Sequence, residues 1–207
     1  MKIKICGLRL LEDARLALEL GATHLGVVLA ENSPRCATID EARAILALTD
    51  SIAEGVLVFR DQSVSDVLRA ARAAHARCVQ VHGADLHSID VLRAHGLRVM
   101  PVASCAADAH ALPNLPVSPT VTEPGILDCG RGGSGERFPW HLLGARAPDH
   151  VFIAGGIDPT NVDFLLAHRP YGIDLSRGVE VAAGVKDPRK LRALFDRLRN
   201  HSEGSPA

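Results

Sequence analysis

The stretch from Val151 to Gly178 reads VFIAGGIDPTNVDFLLAHRPYGIDLSRG. It holds two short apolar runs, Val151–Ala154 and Gly172–Leu175, each closed by a glycine turn: Gly155-Gly156 after the first, Ser176-Arg177-Gly178 after the second. Between them Asn161–Ala167 carries a helical pattern. An apolar run, a glycine turn, a helical segment and a second apolar run make a strand–helix repeat, the unit from which parallel sheets are built.

The same unit recurs toward the N-terminus. Strands are expected at Lys2–Cys6, His24–Ala30, Gly55–Phe59, Cys78–Val81, Arg98–Ala103 and Gly125–Asp128, which with the two above make eight. Helical patterns fall at Leu10–Leu20, Ile39–Leu48, Val64–Ala74, Leu86–Ala94 and Pro188–Leu198. The segments after the fifth and sixth strands are weaker, because Pro113, Pro116, Pro119 and Pro124 break any long helix there. Eight repeats in 207 residues, without a linker or a shift in composition, point to the α/β class and a single (β/α)8 TIM barrel over residues 1–200. A doubly wound open sheet is the rival fold. Residues 201–207 are polar and read as a disordered C-terminal tail.

Composition narrows the function classes. Twenty-three basic against 24 acidic side chains leave a net charge of -1, so the chain lacks the electrostatic footprint of a nucleic-acid or membrane-surface binder. Aromatic residues are only 3%, which disfavours a base-stacking surface. No apolar run is long enough to span a membrane, and Met1–Arg9 has no signal-peptide pattern, so a cytoplasmic location is expected. The five cysteines, Cys6, Cys36, Cys78, Cys105 and Cys129, are at least 24 residues apart and form no CxxC pair, so they read as reduced thiols. No metal-ligand spacing is present.

Strand parity points to chemistry. If Ile3 and Ile5 face the helices, Lys4 and Cys6 face the barrel axis; likewise Gln80 and His82 point inward when Val79 and Val81 point out. Polar groups then converge on the C-terminal rim, where barrels keep their active sites. Cys6 is either a small core hydrophobe or a base whose thiol Lys4 would lower below its usual pKa of about 8.5. Lys4 is one of only four lysines and has a structural alternative, pairing with a rim carboxylate. Asp128, closing Gly125-Ile126-Leu127-Asp128, either caps the next loop or serves as a general acid with a pKa raised by partial burial.

Gly130-Arg131-Gly132-Gly133-Ser134-Gly135 matches G-x-G-x-x-G, but it follows the sixth strand, no helix begins at it and no acidic residue ends a strand about 20 residues on. It is not a dinucleotide fingerprint. As a loop of bare amides, Gly132–Gly135 can approach an anion. The turns at Gly155-Gly156 and at Asp174-Leu175-Ser176-Arg177-Gly178 follow the seventh and eighth strands, where a barrel holds phosphate with the help of a short extra helix. Arg35, after Asn32-Ser33-Pro34, is a solvated loop charge or a partner for a substrate carboxylate. For His82 a satisfied rim histidine is the alternative to a catalytic one.

The ordered set Lys4-Ile5-Cys6-Gly7, Leu11-Glu12-Asp13-Ala14, Leu25-Gly26 with Ser33-Pro34-Arg35, Val79-Gln80-Val81-His82-Gly83, Leu127-Asp128, Gly132-Gly133-Ser134-Gly135, Ala154-Gly155-Gly156-Ile157 and Asp174-Leu175-Ser176-Arg177-Gly178-Val179-Glu180 through Gly184-Val185-Lys186-Asp187-Pro188 resembles the phosphoribosylanthranilate isomerase family. The resemblance runs from residue 3 to about 198. It implies an Amadori rearrangement in tryptophan biosynthesis that needs no metal or organic cofactor, with Asp128 as acid, Cys6 as base and Arg35 facing the anthranilate carboxylate. It also implies a phosphate held by Gly132, Gly133, Ser134, Gly135, Gly155, Gly156, Ser176, Arg177 and Gly178, with Lys4, Gln80, His82 and Asp174 at the substrate. A small phosphorylated substrate is the one partner expected, with the chain a monomer or a homodimer.

This chain departs from the family where Gly55-Val56-Leu57-Val58-Phe59 is followed by Arg60-Asp61 rather than the asparagine common there, and where the fifth strand ends Val102-Ala103-Ser104 without a basic residue. Two rivals remain at this level: a related aminosugar-phosphate isomerase of histidine biosynthesis, disfavoured by a cysteine where an aspartate is expected, and a non-catalytic barrel that binds a phosphorylated metabolite.

Overall fold

The structure, a computed structural model, describes residues 1–130 and 136–203. Eight parallel strands close on themselves in chain order: β1 (Lys2–Ile5), β2 (His24–Val28), β3 (Glu54–Arg60), β4 (Cys78–His82), β5 (Arg98–Cys105), β6 (Gly125–Cys129), β7 (Val151–Ile153) and β8 (Gly172–Leu175). The seam is the pairing of β1 with β8, which sets Lys4 beside Asp174 and Ile5 beside Leu175. A doubly wound open sheet has no such pairing, so closure rules it out.

Three early helices start where the sequence supplies a cap. Thr38 and Glu41 form a reciprocal capping box before α2 (Ile39–Leu46), Ser63 caps α3 (Val64–Ala73) and Asp85 caps α4 (Leu86–Ala94). The preceding α1 (Leu11–Leu20) ends at Gly21, whose φ of 111° a side chain would resist. As the prolines imply, no helix joins β5 to β6, and among the described residues a single 3-10 turn, Trp140–Leu143, precedes β7. The short α5 (Val162–Leu166) follows, and then a feature the strand count did not anticipate: after β8 the chain makes a hairpin of β9 (Glu180–Ala182) and β10 (Val185–Lys186).

The last helix, α6, runs Pro188–Glu203 and so carries three residues of the segment expected to be a tail. Buried Leu191, Leu194, Phe195 and Leu198 recur along it at helical spacing, and the helix they seat carries on past them. Residues 204–207, like the 131–135 glycine loop, lie outside the described residues.

Two apolar clusters result. One, including Ile5, Val79, Val81, Leu127 and Ile173, packs the outer face of the strands against the helices. The other fills the barrel with Cys6, Val28, Val56, Val58, Cys78, Met100, Ile126, Phe152 and Ala154. The alternation of Val79 and Val81 outside with Gln80 between them inside is the parity expected.

Candidate active site

The C-terminal rim encloses a cavity of about 700 Å³ lined by Cys6, Arg35, Arg60, Gln80, His82, Asp128, Gly155, Gly156, Asp174, Ser176, Arg177 and Gly178. Of the residues singled out from sequence, only Lys4 lies outside this lining, one pleat below Cys6; Gly132–Gly135 are not among the described residues.

Lys4 is fully buried and its Nζ donates to Asp174 Oδ2 at 2.9 Å. Burial disfavours its charge, but Asp174 and the Cys6 sulfur outweigh that and hold the ammonium above its ordinary range. The two alternatives for Lys4 are thus both met: it pairs with a rim carboxylate and stands beside the thiol.

Its effect on Cys6 is smaller than expected from sequence. Burial pushes the Cys6 thiol up, and Lys4 and Lys186, opposed by the Asp174 carboxylate, do not bring it back to its ordinary value. The expectation of a thiol below about 8.5 is corrected here, because desolvation of a sulfur sunk in the barrel wall exceeds the pull of two partly neutralised cations. Room for that sulfur comes from Gly26 on β2: a Cβ there would lie 2.8 Å from Cys6 Sγ and 3.1 Å from Lys4 Nζ.

Asp128, on β6, also does two things. Its Oδ1 accepts the Cys129 N–H at 2.7 Å, tying the start of the next loop. Burial nevertheless lifts its carboxyl to about 6, the Cys129 hydrogen bond only partly offsetting this. A carboxyl near 6 exchanges protons close to neutrality.

On β4, Gln80 Nε2 and His82 Nε2 are 2.9 Å apart. Burial, helped by Arg60 and Lys4, holds His82 down to about 3, so the imidazole is neutral. With the amide N–H donating, His82 accepts at Nε2 and carries its proton on Nδ1. Gln80 Oε1 and Asp174 Oδ1 are buried without a hydrogen-bond partner among the described residues, and both residues line the cavity. Such atoms are costly unless a ligand or water completes them.

Arg35 is not a solvated loop charge. It is buried, its Nε donating to Glu180 Oε1 at 2.9 Å and its Nη2 to Oε2 at 2.7 Å. Gly7, at φ 72°, lets it cross the rim, since a Cβ there would lie 2.7 Å from Arg35 Cδ. Glu180 also accepts from Lys186 Nζ at 2.9 Å, and Lys186 donates at 2.5 Å to the backbone carbonyl of Cys6. Despite burial, Arg35 and Lys186 hold the Glu180 carboxylate below its usual range. The hairpin is thereby strapped to both the arginine and the cysteine.

The loops after β7 and β8 meet closely. A Cβ on Gly178 would fall 1.9 Å from the Ile157 carbonyl oxygen, and one on Gly156 2.7 Å from Arg137 Cα. Gly155 and Gly156 take φ of 94° and 63°. Only glycine permits this approach with those angles. The extra helix expected beside them is one 3-10 turn, Arg177–Val179.

Sequence reasoning missed four contributors. Gly26 appeared only as part of a motif, Glu180 and Lys186 had no assigned role, and Arg60 was placed past the end of its strand. Parity was the signal for the last, since Val56, Val58 and Arg60 share one face of β3 and the structure turns that face inward.

Residues 3–197 match the family model for N-(5'phosphoribosyl)anthranilate (PRA) isomerase. An N-(5'-phosphoribosyl)anthranilate isomerase of Thiobacillus denitrificans is 36% identical, the match covering 96% of this chain and 98% of that one. The tryptophan biosynthesis protein TrpCF of Yersinia pestis is 35% identical over 95% of this chain, which spans 41% of that protein's length. Among solved structures, the phosphoribosyl anthranilate isomerase of Thermus thermophilus superposes with a TM-score of 0.79 at 39% identity, covering 97% of this chain and 99% of that one.

Proposed function

Because the chain belongs to the N-(5'-phosphoribosyl)anthranilate isomerase family, we propose that Asp128 and Cys6 carry the two proton transfers of that family's reaction. The protein is an isomerase of tryptophan biosynthesis. It converts N-(5'-phosphoribosyl)anthranilate to 1-(2-carboxyphenylamino)-1-deoxyribulose 5-phosphate, an aldose-to-ketose change within one molecule.

In the first step the Asp128 carboxyl gives its proton to the ribose ring oxygen while the bond from that oxygen to C1' breaks. The anilinic nitrogen supplies the electron pair and becomes an iminium. In the second, the Cys6 thiolate takes the C2' proton, and the C2'–H electrons move to form the C1'–C2' double bond and quench the iminium. The enol so formed tautomerises to the ketone. The substrate's own nitrogen is the electron sink.

The observation that carries this reading is that one cavity is lined by both Cys6, from β1, and Asp128, from β6, with the carboxyl raised to about 6. Lys4 supports the base by standing beside the sulfur as a cation. Gly155, Gly156, Ser176, Arg177 and Gly178 hold the phosphate, with Gly132, Gly133, Ser134 and Gly135 completing the cradle; closely approaching backbone supports this, since bare amides suit an oxyanion. Asp174 Oδ1 and Gln80 Oε1 accept sugar hydroxyls, His82 holds Gln80 in place, and Arg35 meets the anthranilate carboxylate with its Nη1 end. A charged phosphate ester does not cross membranes unaided, so the proposal sets the reaction in the cytoplasm, carried out by a monomer or homodimer.

The test is turnover of phosphoribosylanthranilate by the purified chain and complementation of a tryptophan auxotroph lacking this step. Asp128→Ala and Cys6→Ala should each lower kcat by at least about 100-fold. Full activity in either variant removes that residue from the chemistry. Inorganic phosphate should compete with substrate; indifference to it at any concentration refutes the cradle.

A further inference from the structure

The barrel order divides the rim into ends. The glycine loops follow β7 and β8, and the proposed acid and base stand on the flanking strands β6 and β1. A substrate with its phosphate at β7 and β8 and its reacting carbons between β6 and β1 directs its aromatic ring across the mouth, toward β2, β3 and β4. Arg60 ends β3 on that far side, paired in register with His82.

Three observations make Arg60 a receptor. Its parity with Val56 and Val58, both in the barrel interior, turns its side chain to the mouth, and it lines the cavity while remaining half-buried. Its guanidinium makes no hydrogen bond or ion pair among the described residues, although Glu31, Asp61 and Asp128 line the same cavity. Arg35, by contrast, has already given Nε and Nη2 to Glu180. A planar fork with all its donors open, on the wall opposite the phosphate loops, is suited to a carboxylate.

We propose that Arg60 is a specificity-determining contact for the carboxylate on the substrate's aromatic ring, closing on it from β3 while Arg35 meets it end-on from the loop after β2. This rests on the isomerase reading above. It also explains how the cavity tells an anthranilate from an aniline: a neutral ring would leave the Arg60 charge half-buried and unpaired, which is the costly outcome.

The experiment uses the full chain with Arg60→Gln and Arg60→Lys. Gln should raise KM for phosphoribosylanthranilate about 10- to 100-fold with kcat within about threefold of the parent, and Lys should recover part of the loss. Anthranilate and 2-aminobenzamide, assayed as competitive inhibitors, read the charge directly. The parent should prefer the carboxylate and Arg60→Gln should not. A structural role would weaken both fragments alike. An unchanged KM, a loss confined to kcat, or an anthranilate preference that survives Arg60→Gln overturns the assignment. If the parent chain itself fails to turn over substrate, the isomerase reading falls, and calorimetric binding of anthranilate to parent and variant still decides Arg60.

Discussion

Removing the carboxylate of Asp174 should destabilise the fold far more than removing the whole Lys4–Asp174 pair. Lys4 is fully buried, Asp174 nearly so, and Nζ and Oδ2 are 2.9 Å apart. At that distance and an effective dielectric of about 20, the gross attraction is about 6 kcal/mol, most of it offsetting desolvation of the two groups. Asp174→Ala leaves the ammonium in the barrel wall without its hydrogen-bonded carboxylate, at a cost of about 3–5 kcal/mol. For a domain of this size that is a fall in Tm of about 6–20 °C. The double variant Lys4→Met/Asp174→Leu leaves no charge to desolvate and should unfold near the parent or above it. Urea titration at pH 7, followed by far-UV circular dichroism with all variants sharing one m-value, measures this. A single variant within about 1 kcal/mol of the parent, or a double variant as unstable as the single, refutes the reasoning.

Three other outcomes are expected. Asp128 titrates at about 6 and burial holds Cys6 above its ordinary value, so only a small fraction of the free enzyme has Asp128 protonated and Cys6 ionised at once. The pH profile of kcat/KM should then rise up to about 6, level off and fall only at alkaline pH, and a falling limb near 6 would contradict it. Gly26→Ala puts a Cβ 2.8 Å from Cys6 Sγ and 3.1 Å from Cys6 Cα; because backbone cannot yield, kcat should drop at least about 10-fold with a stability loss of about 1–3 kcal/mol. Burial holds His24 and His82 to about 3, so the unfolded chain binds protons they refuse, and stability falls as pH drops from about 6.5 toward 3. Each contributes up to about 1.4 kcal/mol per pH unit; Asp128, raised to about 6, offsets one of them between about 6 and 4. His24→Gln should flatten that slope, and chemical denaturation at pH 4, 5 and 6 tests it.

Much of the barrel was legible before any coordinates because its signals are local. A strand such as Cys78–His82 announces itself by apolar residues at every second position, and the next helix by its cap at Asp85. Eight repetitions leave few ways to bury eight two-faced strands. The inward direction of Lys4, Cys6, Gln80 and Asp128 follows from counting by twos. The extent of the last helix was not legible because the Leu191–Leu198 pattern ends before the helix does, and α6 runs on to Glu203.

Other features depend on residues far apart in the chain. Sequence alone determined the repeat, the class of fold, the placing of a thiol and of a carboxyl each at the end of its own strand, and the glycine turns, since each is a property of a residue and its near neighbours. Closure between β1 and β8, the Arg35–Glu180 ion pair across 145 positions, the hold of Lys186 on the Cys6 carbonyl across 180, and the balance that leaves the thiol high were decided by tertiary structure. The physical reason is that charge and desolvation act through space. A pKa or an ion pair is set by whatever the fold brings within a few ångströms, and no periodicity in the chain records that distance.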